Sequence, residues 1–301
     1  MKPTLVTLHA HPDDEAIFTG GTIIRAVEAG WRVVLVVATD GDLGTRGGAS
    51  RAGLAARRRA ETRDSAALLG IDRIEFLGHG DSGYRTASHD GRSEVAVARR
   101  LEAGTLASAH VDRVAAVVRR ILIDEQAVAL TSYDDNGVYG HIDHVQVHEI
   151  AVQSVAGTGC ALLEATLDRS ALRQLRSRLV TRGLVDGLWP TSLVEQLGVE
   201  PGPDLVPVDV SAQLERKLCA VAAHSSQVMD ADSFMGLPPG VFHHLLGTEW
   251  FRVARPGDGR LLTQLQGTRG ARSSTGSDDS YGPASAVVNP ADGAPTPVMS
   301  S

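Results

Sequence analysis

The sequence predicts an α/β fold, a mostly parallel sheet flanked by helices, for most of the chain. Short runs rich in Val, Ile and Leu alternate with longer amphipathic stretches. This alternation is typical of β-α-β units, which place their strands side by side and parallel in one sheet. The 301 residues are 43% hydrophobic, which is enough to bury a large core.

The predicted strands are short apolar runs bounded by polar or glycine-bearing segments. The first, residues 4–8, leads into a cluster of His and Asp, and the second, residues 31–38, leads into a glycine-rich loop. Beyond Gly157 the pattern is more mixed, and we interpret it as a continuation of the same fold rather than a second domain. The remaining strand predictions cover residues 74–77, 127–131, 161–165 and 205–210.

The predicted helices follow the strands and are identified by apolar residues at helical spacing and by their stop signals. Residues 15–28 end before Gly30, and residues 54–69 end before Gly70. Glycine often follows a helix because it adopts the left-handed conformation without a steric penalty. Further helices are predicted over residues 111–122, over the positions Val147, Ile150, Ala151 and Val155, and over residues 169–180 and 212–223.

We predict one domain over residues 1–266 and a tail over residues 267–301. From about Gly267 the chain is rich in Gly, Ser, Pro, Ala and Asp and holds almost no large apolar residues. Such a composition cannot offset the entropy cost of ordering by burial, so the tail is predicted to be disordered.

The charge pattern argues against a nucleic-acid or membrane partner. The net charge is −7, and Lys and Arg are scattered among acidic residues. No basic face is therefore expected to attract a phosphate backbone or an anionic membrane. The run of three arginines at residues 57–59 is interpreted as a solvated helix face. A small-molecule partner is expected, and a homo-oligomer stays open.

The first residues and the cysteines indicate a cytoplasmic protein. The polar cluster from His11 to Glu15 interrupts the first apolar run too early for a signal peptide, and the overall composition does not fit membrane insertion. Cys160 and Cys219 do not share a short metal-type spacing, which favours two buried thiols over a disulfide. A reducing compartment is the expectation that follows.

Two polar clusters follow predicted strands and point to one metal site. The first reads His-Ala-His-Pro-Asp-Asp-Glu over residues 9–15, and the second reads Tyr-Gly-His-Ile-Asp-His over residues 139–144. Loops after the carboxyl ends of parallel strands gather at one edge of a sheet, so His11, Asp14 and His144 can converge on one ion. Three protein ligands leave coordination positions open, which is typical of catalytic rather than structural zinc.

The other polar side chains of these clusters are predicted to be catalytic. Asp13 is not needed as a ligand and lies at a helix N-terminus, so it suits a general base that takes a proton from water. His141, one turn before His144, can stabilise a developing oxyanion or protonate a leaving amine, with Asp143 as its orienting partner. Tyr139 can donate a hydrogen bond to a substrate carbonyl, and an ordinary loop aromatic is an equally good interpretation of it.

Other interpretations explain part of the pattern. A His-Pro-Asp turn alone is more often a helix cap, and His9 and His148 are expected in structural roles. Two His and one carboxylate also suit a non-haem Fe(II) oxygenase, but that chemistry usually needs another fold. A nicotinamide dehydrogenase would need a G-x-G-x-x-G turn where residues 11–14 read His-Pro-Asp-Asp. A non-catalytic sugar-binding protein would not require both Asp13 and His141.

In these motifs the chain resembles the LmbE-like, or PIG-L, family of zinc-dependent N-acetylglucosaminyl deacetylases. The resemblance rests on Ala-His-Pro-Asp-Asp-Glu at residues 10–15 together with His-Ile-Asp-His at residues 141–144. It extends over most of the chain except the tail. It implies a Rossmann-like fold, zinc on the predicted ligands, Asp13 as base and His141 as electrostatic or acid partner.

The resemblance also implies a substrate and its contacts. By analogy Arg58 and Asp81 hold sugar hydroxyls, and Tyr139 helps to polarise the acetyl carbonyl. Ile142 stands where relatives often carry Pro. The segment from residue 40 to residue 58 is compact in comparison with the corresponding segment of the mycothiol-pathway deacetylases. The implied reaction removes the acetyl group from an N-acetylglucosamine conjugate such as a glucosaminyl-inositol. A different amide conjugate of an amino sugar is the alternative substrate. Fe2+ or another divalent transition metal is the alternative to zinc.

Overall fold

A seven-stranded, mostly parallel sheet lies at the centre of the structure, a computed structural model that describes residues 2–44, 50–83, 102–183, 191–227, 245–255 and 258–266. The predicted tail, residues 267–301, lies outside the described residues. The strand order is β3-β2-β1-β4-β5-β7-β6. The strands are β1 (Thr4–His9), β2 (Arg32–Thr39), β3 (Arg73–His79), β4 (Ala127–Tyr133), β5 (Ala161–Thr166), β6 (Leu205–Asp209) and β7 (Thr248–Val253).

Helices connect the strands. They are α1 (Asp14–Phe18), α2 (Gly20–Glu28), α3 (Arg51–Leu69), α4 (Val111–Asp124), α5 (Ile142–Val155), α6 (Arg169–Thr181), α7 (Thr191–Val194), α8 (Leu214–Ala223) and α9 (Gly259–Gln266). Short turns of 3₁₀ helix lie at Leu106–Ser108 and Ser211–Gln213. Among the helices of the described ranges, none is long and apolar enough to cross a membrane.

The pairing of the strands confirms the predicted α/β fold with a mostly parallel sheet. Strands β1 to β5 form parallel pairs, and β7 runs antiparallel between β5 and β6. Strand β7 was not predicted from the sequence. Its fully inward positions are Glu249 and Phe251, so a buried carboxylate interrupts the apolar alternation that would have indicated a strand.

The helix predicted over residues 15–28 is two helices, α1 and α2, which meet at Thr19. The Thr19 hydroxyl donates to the Glu15 carbonyl oxygen at 3.2 Å, and its φ of −134° is not helical. Helix α2 then begins against Glu249 of β7, whose carboxylate accepts a hydrogen bond from the Gly21 amide at 2.7 Å. A Cβ at Gly21 would lie 2.4 Å from the Cβ of Val210. Glycine is therefore needed where the second helix approaches the chain after β6.

Two hydrophobic clusters enclose the sheet, one on each face. One packs β1 and β2 against α4 and α5, and Val118 and Ile150 are fully buried there. The other packs the opposite face against α2, α8 and α9 and buries Ile23 and Phe251. Strand β1 is buried along its whole length. This is the position expected of a central strand in a parallel sheet that is covered on both faces.

The two cysteines differ in exposure, which corrects the expectation of two buried thiols. Both are free, but Cys160 is buried and Cys219 is exposed. Burial raises the pKa of the Cys160 thiol to about 12. We expect one thiol per chain to react rapidly with DTNB near pH ~8 and the second to react only after unfolding. Cys219→Ser should remove the rapid phase, and a rapid phase that survives this substitution would contradict the assignment.

A His-Glu-Arg contact ties α5 to β5 and β7. His148 Nδ1 lies 3.2 Å from Glu164 Oε1, and Arg252 Nε donates to Glu164 Oε2 at 2.6 Å. Burial alone would lower the pKa of His148, but Glu164 raises it above its ordinary value. Burial alone would raise the pKa of Glu164, but His148 and Arg252 lower it.

This contact predicts a stability that depends on pH. A raised histidine pKa stabilises the fold fully below the unfolded value of 6.5, and that stabilisation is lost as pH rises through the folded value. The lowered pKa of Glu164 acts in the opposite sense, and its contribution is lost as pH falls below 4.5. We expect His148→Gln to reduce the free energy of unfolding by about 1 kcal/mol more near pH ~6 than near pH ~9. Urea unfolding at the two pH values measures this, and equal losses would refute it.

Candidate functional site

The predicted site residues gather where β1, β3 and β4 end. His11, Asp13 and Asp14 follow β1, Asp81 follows β3, and residues 139–144 lie after β4 and at the start of α5. Strands β1 and β4 are parallel neighbours, so their carboxyl ends open onto the same edge of the sheet. The structure therefore brings the two polar clusters together as their positions after strands indicated.

Three ligand atoms from the two clusters form a nearly equilateral triangle. His11 Nδ1 lies 3.3 Å from Asp14 Oδ2, His144 Nε2 lies 3.4 Å from the same oxygen, and the two nitrogens are 3.3 Å apart. A tetrahedral ion with bonds of about 2.0–2.1 Å needs ligand atoms roughly 3.3–3.4 Å apart. All three side chains are buried. The donor set and its spacing fit a small divalent transition metal.

A wider set of ligand atoms surrounds the same histidine. Those of His11, Asp81, His141 and Asp143 lie within 4.8 Å of one another, and so do those of His11, His141 and His144. Asp143 and Asp81 approach His11 through Nε2, at 3.2 Å and 3.7 Å. The triangle uses Nδ1 instead. An imidazole that faces an ion with one nitrogen and donates its other N–H to a carboxylate is the usual arrangement at metal sites, so we favour the triangle.

Asp143 contacts His141 differently from our prediction. We expected its carboxylate to orient His141, but the carboxylate contacts His11 and accepts a hydrogen bond from the Ser82 amide at 2.9 Å. The Asp143 amide instead donates to His141 Nδ1 at 3.1 Å. His141 caps α5 and accepts a hydrogen bond from the Asp143 amide, while the Asp143 side chain reaches His11, just after β1. The neutral His141 ring consequently carries its proton on Nε2.

The charge of the site favours a bound cation. Burial alone would lower the pKa of His11, but Asp81, Asp14 and Asp143 raise it well above its ordinary value. Burial alone would raise the pKa of Asp14, but His144 and His11 hold it well below its ordinary value. The carboxylates thus attract positive charge, which either a proton on His11 or a metal ion can supply.

His141 and Tyr139 lie beside the triangle. Burial, together with His11 and His144, holds the pKa of His141 well below its ordinary value, which favours a neutral ring. The protonated form considered from the sequence is therefore disfavoured in the chain alone, while a neutral Nε2–H donor is retained. The Tyr139 hydroxyl lies 3.3 Å from His144 Nε2, at one corner of the triangle.

Asp13 is held in a strained turn next to the ligands. Its φ of 112° lies in the left-handed region, which is costly for any residue except glycine. The Asp13 amide donates to Glu15 Oε2 at 3.0 Å, and Arg58 Nη2 donates to Asp13 Oδ2 at 2.9 Å. Burial raises the pKa of Asp13 to about 6, and Arg58 opposes the rise. The surrounding contacts therefore hold a carboxylate that can accept a proton near neutral pH.

Arg58 corrects the interpretation of the arginine run as a solvated face. It is only 3% exposed, and it donates to the carbonyl oxygens of Gly41, at 2.9 Å, and of Pro12. Arg57 has a side chain that is 56% exposed and fits the prediction. Arg58 is buried, unlike Arg57, because its side of α3 packs against the turn that contains Asp13. The predicted contacts of Arg58 and Asp81 with sugar hydroxyls stay predictions.

Tyr133 is a site residue that sequence reasoning missed. Its hydroxyl donates to Asp14 Oδ2 at 2.8 Å and accepts a hydrogen bond from the Ala10 amide at 3.0 Å. Its ring stacks on His144, with centroids 4.1 Å apart. In the sequence Tyr133 lies just beyond the strand predicted over residues 127–131, at the start of a polar segment. The signal that could have found it is an aromatic hydroxyl at a strand end beside two ligand clusters.

Comparison with known proteins shows which family the chain is similar to. A family model described as PIG-L, GlcNAc-PI de-N-acetylase, matches residues 6–155. A 1D-myo-inositol 2-acetamido-2-deoxy-alpha-D-glucopyranoside deacetylase of Kineococcus radiotolerans is 31% identical over 278 residues, which are 83% of this chain and 76% of the relative. A protein of the same name from Acidothermus cellulolyticus is 30% identical over 86% of this chain and 93% of its own length.

Solved structures share the fold. The N,N'-diacetylchitobiose deacetylase of Pyrococcus horikoshii aligns with a TM-score of 0.53 and 24% identity, over 85% of each chain. The zinc-inhibited form of the teicoplanin deacetylase Orf2 aligns with a TM-score of 0.56 and 16% identity, over 85% of this chain and 99% of the other. At these identities the likeness concerns the fold.

Proposed function

Because the chain belongs to the PIG-L family of GlcNAc-PI de-N-acetylases, we propose that it is a metal-dependent hydrolase that removes the N-acetyl group from an N-acetylglucosamine conjugate. The observation that carries this proposal is the buried triangle of His11, Asp14 and His144 with Asp13 held beside it. The names of the relatives favour a glucosaminyl-inositol as the substrate class.

The proposed metal ligands are His11 Nδ1, Asp14 Oδ2 and His144 Nε2, and the proposed metal is zinc. Two nitrogens and one oxygen at tetrahedral spacing suit zinc, and Fe2+ fits the same donors. When bound, the ion supplies a Lewis acid that polarises the amide carbonyl and makes water a better nucleophile at neutral pH. Tyr133 and Asp143 support the site because they hydrogen-bond to Asp14 and His11.

The chain's own residues carry the proton transfers. Asp13 removes a proton from the attacking water as the new C–O bond forms, and the carbonyl π electrons move to oxygen. The Nε2–H of His141, and the Tyr139 hydroxyl, stabilise that negative charge. When the C–N bond breaks, its electron pair goes to nitrogen, which takes the proton back from Asp13, and the electrons of the negative oxygen re-form the carbonyl. The acetic acid formed then loses its proton to the medium. The products are acetate and the free amino sugar.

We propose that the catalytic domain spans residues 1–266. Strands β5, β6 and β7, from the second half of this range, belong to the same sheet as β1 to β4, which supports a single domain. The two free cysteines support a reducing, cytoplasmic location.

Acetate release from a panel of N-acetylglucosamine conjugates, including N-acetylglucosaminyl-inositol, tests the function. Zinc-loaded protein should release acetate, and protein treated with a chelator should not. Zinc returned to the chelated protein should restore the rate. Stoichiometric metal with no acetate from any conjugate would contradict the proposal and point to a different amide substrate or to a sugar-binding protein.

Metal titration of stripped protein tests the ligands separately. We expect about one ion per chain, a rise in melting temperature on binding, and a loss of affinity of more than ~100-fold in His144→Ala. His148→Ala is the matched control, because it removes a histidine one turn further along α5 that lies outside the triangle. Equal loss of affinity in the two variants would show that His144 is not a ligand.

A further inference from the structure

Glu15 and His224 form a buried pair behind Asp13. Glu15 is 0% exposed and His224 is 1% exposed, and His224 Nε2 lies 2.6 Å from Glu15 Oε1. Ser65 donates to the same oxygen at 2.7 Å. The other carboxylate oxygen, Oε2, accepts the hydrogen bond from the Asp13 amide at 3.0 Å. A continuous path of hydrogen bonds therefore runs from His224 to the backbone of the proposed base.

Helix α3 holds this path from one side. Arg58, Glu61 and Ser65 lie on one face of α3, at spacings of three and four residues, and all three are buried. Arg58 contacts the Asp13 turn and Ser65 contacts the pair. Glu61 accepts hydrogen bonds from the amide and the hydroxyl of Ser226, at 2.8 Å and 2.6 Å. The chain just after His224 is thus anchored to the same helix face.

Fold stability alone does not account for this polar arrangement. Well-packed apolar residues of similar volume often replace a buried charged pair without loss of stability. The conformation of Asp13, with its φ of 112°, is strained for any residue that has a side chain and persists only where the surroundings hold it. The Glu15 carboxylate accepts a hydrogen bond from the amide of Asp13, the strained residue.

We propose that Glu15 and His224 are positioning residues for Asp13. The Glu15 carboxylate holds the Asp13 amide, and with it the left-handed turn that places the Asp13 carboxylate beside the metal ligands. His224 fixes the rotamer of Glu15 through Oε1. This inference rests on the proposed function, in which Asp13 is the general base. His224 lies outside residues 6–155, which the family model matches.

Two substitutions of His224 and one matched control test the inference. His224→Leu removes the donor to Glu15, and we expect kcat to fall roughly 10–100-fold while KM and metal content stay unchanged. His224→Gln keeps an N–H donor and should recover most of kcat. The control is His148→Leu, which breaks a second His–Glu contact, between α5 and β5, that does not involve Glu15 or Asp13.

A second measurement does not depend on activity. Hydrogen–deuterium exchange of the peptide that contains Asp13 should be faster in His224→Leu than in wild type or His148→Leu, because the Asp13 amide loses its fixed acceptor. Wild-type protein that releases no acetate would refute the proposed function, and the exchange result would still decide the inference. Equal exchange in the two leucine variants, equal kcat in them, or failure of His224→Gln to recover kcat would overturn it.

Discussion

Asp13→Asn should retain its metal and lose turnover by about 10²–10⁴-fold, because an amide cannot accept the proton of the attacking water. Asn has nearly the same shape as Asp, and its amide oxygen can still accept the hydrogen bond from Arg58. The fold and the ligand triangle should therefore persist. The measurements are kcat for acetate release and metal content per chain, determined on the same preparation.

The neighbouring substitution provides the contrast. Asp14→Asn alters an oxygen that lies 3.3 Å from His11 Nδ1 and 3.4 Å from His144 Nε2, so it should weaken metal binding as well as turnover. The two variants are adjacent and isosteric, which separates the roles of base and ligand. If Asp13→Asn lost metal and activity together, Asp13 would be a ligand or a structural cap.

The position of the site could be predicted because it follows from local sequence and strand order. His11 and Asp14 come directly after β1. His144 lies in α5, the helix that follows β4, and β4 is a neighbour of β1 in the sheet. Apolar runs that end in polar clusters are visible in a single sequence, and parallel strands bring such clusters to one edge. No knowledge of packing was needed to expect that these residues meet.

Contacts that depend on packing could not be predicted in the same way. Tyr133 and Asp14 are 119 residues apart, and His224 and Glu15 are 209 residues apart. The Gly21 amide at the start of α2 donates to Glu249, which lies 228 residues further along the chain. Nothing in the local pattern of either partner indicates such pairs. The orientation of α5 relative to β1 also decides that the Asp143 carboxylate contacts His11 and not His141, the predicted partner.

The arginine run shows the same limit at the level of one helix. Residues 57–59 are identical in type, yet Arg58 is buried and Arg57 is exposed. The buried face of α3 is partly polar, so apolar periodicity does not identify it. Buried Glu61 and Ser65 share that face with Arg58. The face of α3 that packs on the Asp13 turn is therefore marked by polar residues at helical spacing, Arg58, Glu61 and Ser65.

Lys217→Met should cause the largest loss of stability, about 3–5 kcal/mol, because it leaves the buried charge of Glu249 without its cation. Lys217 Nζ donates to Glu249 Oε1 at 2.7 Å and to the Leu246 carbonyl oxygen at 3.1 Å, and both charged side chains are at most 2% exposed. The amides of Gly21 and Thr22 contribute only two neutral donors. We expect the midpoint of urea unfolding to fall by roughly 1–2 M.

The double variant Lys217→Met/Glu249→Gln separates an unpaired charge from lost packing. It removes both charges while the Gln oxygen can still accept a hydrogen bond from the start of α2, so it should be more stable than Lys217→Met alone. Arg120→Gln breaks an exposed pair with Asp124 on α4 and should leave the midpoint unchanged. If the double variant were as unstable as Lys217→Met, packing around α8 rather than the buried charge would explain the loss. Recovery in the double variant would instead show that the unpaired charge of Glu249, buried at the start of α2, causes the loss.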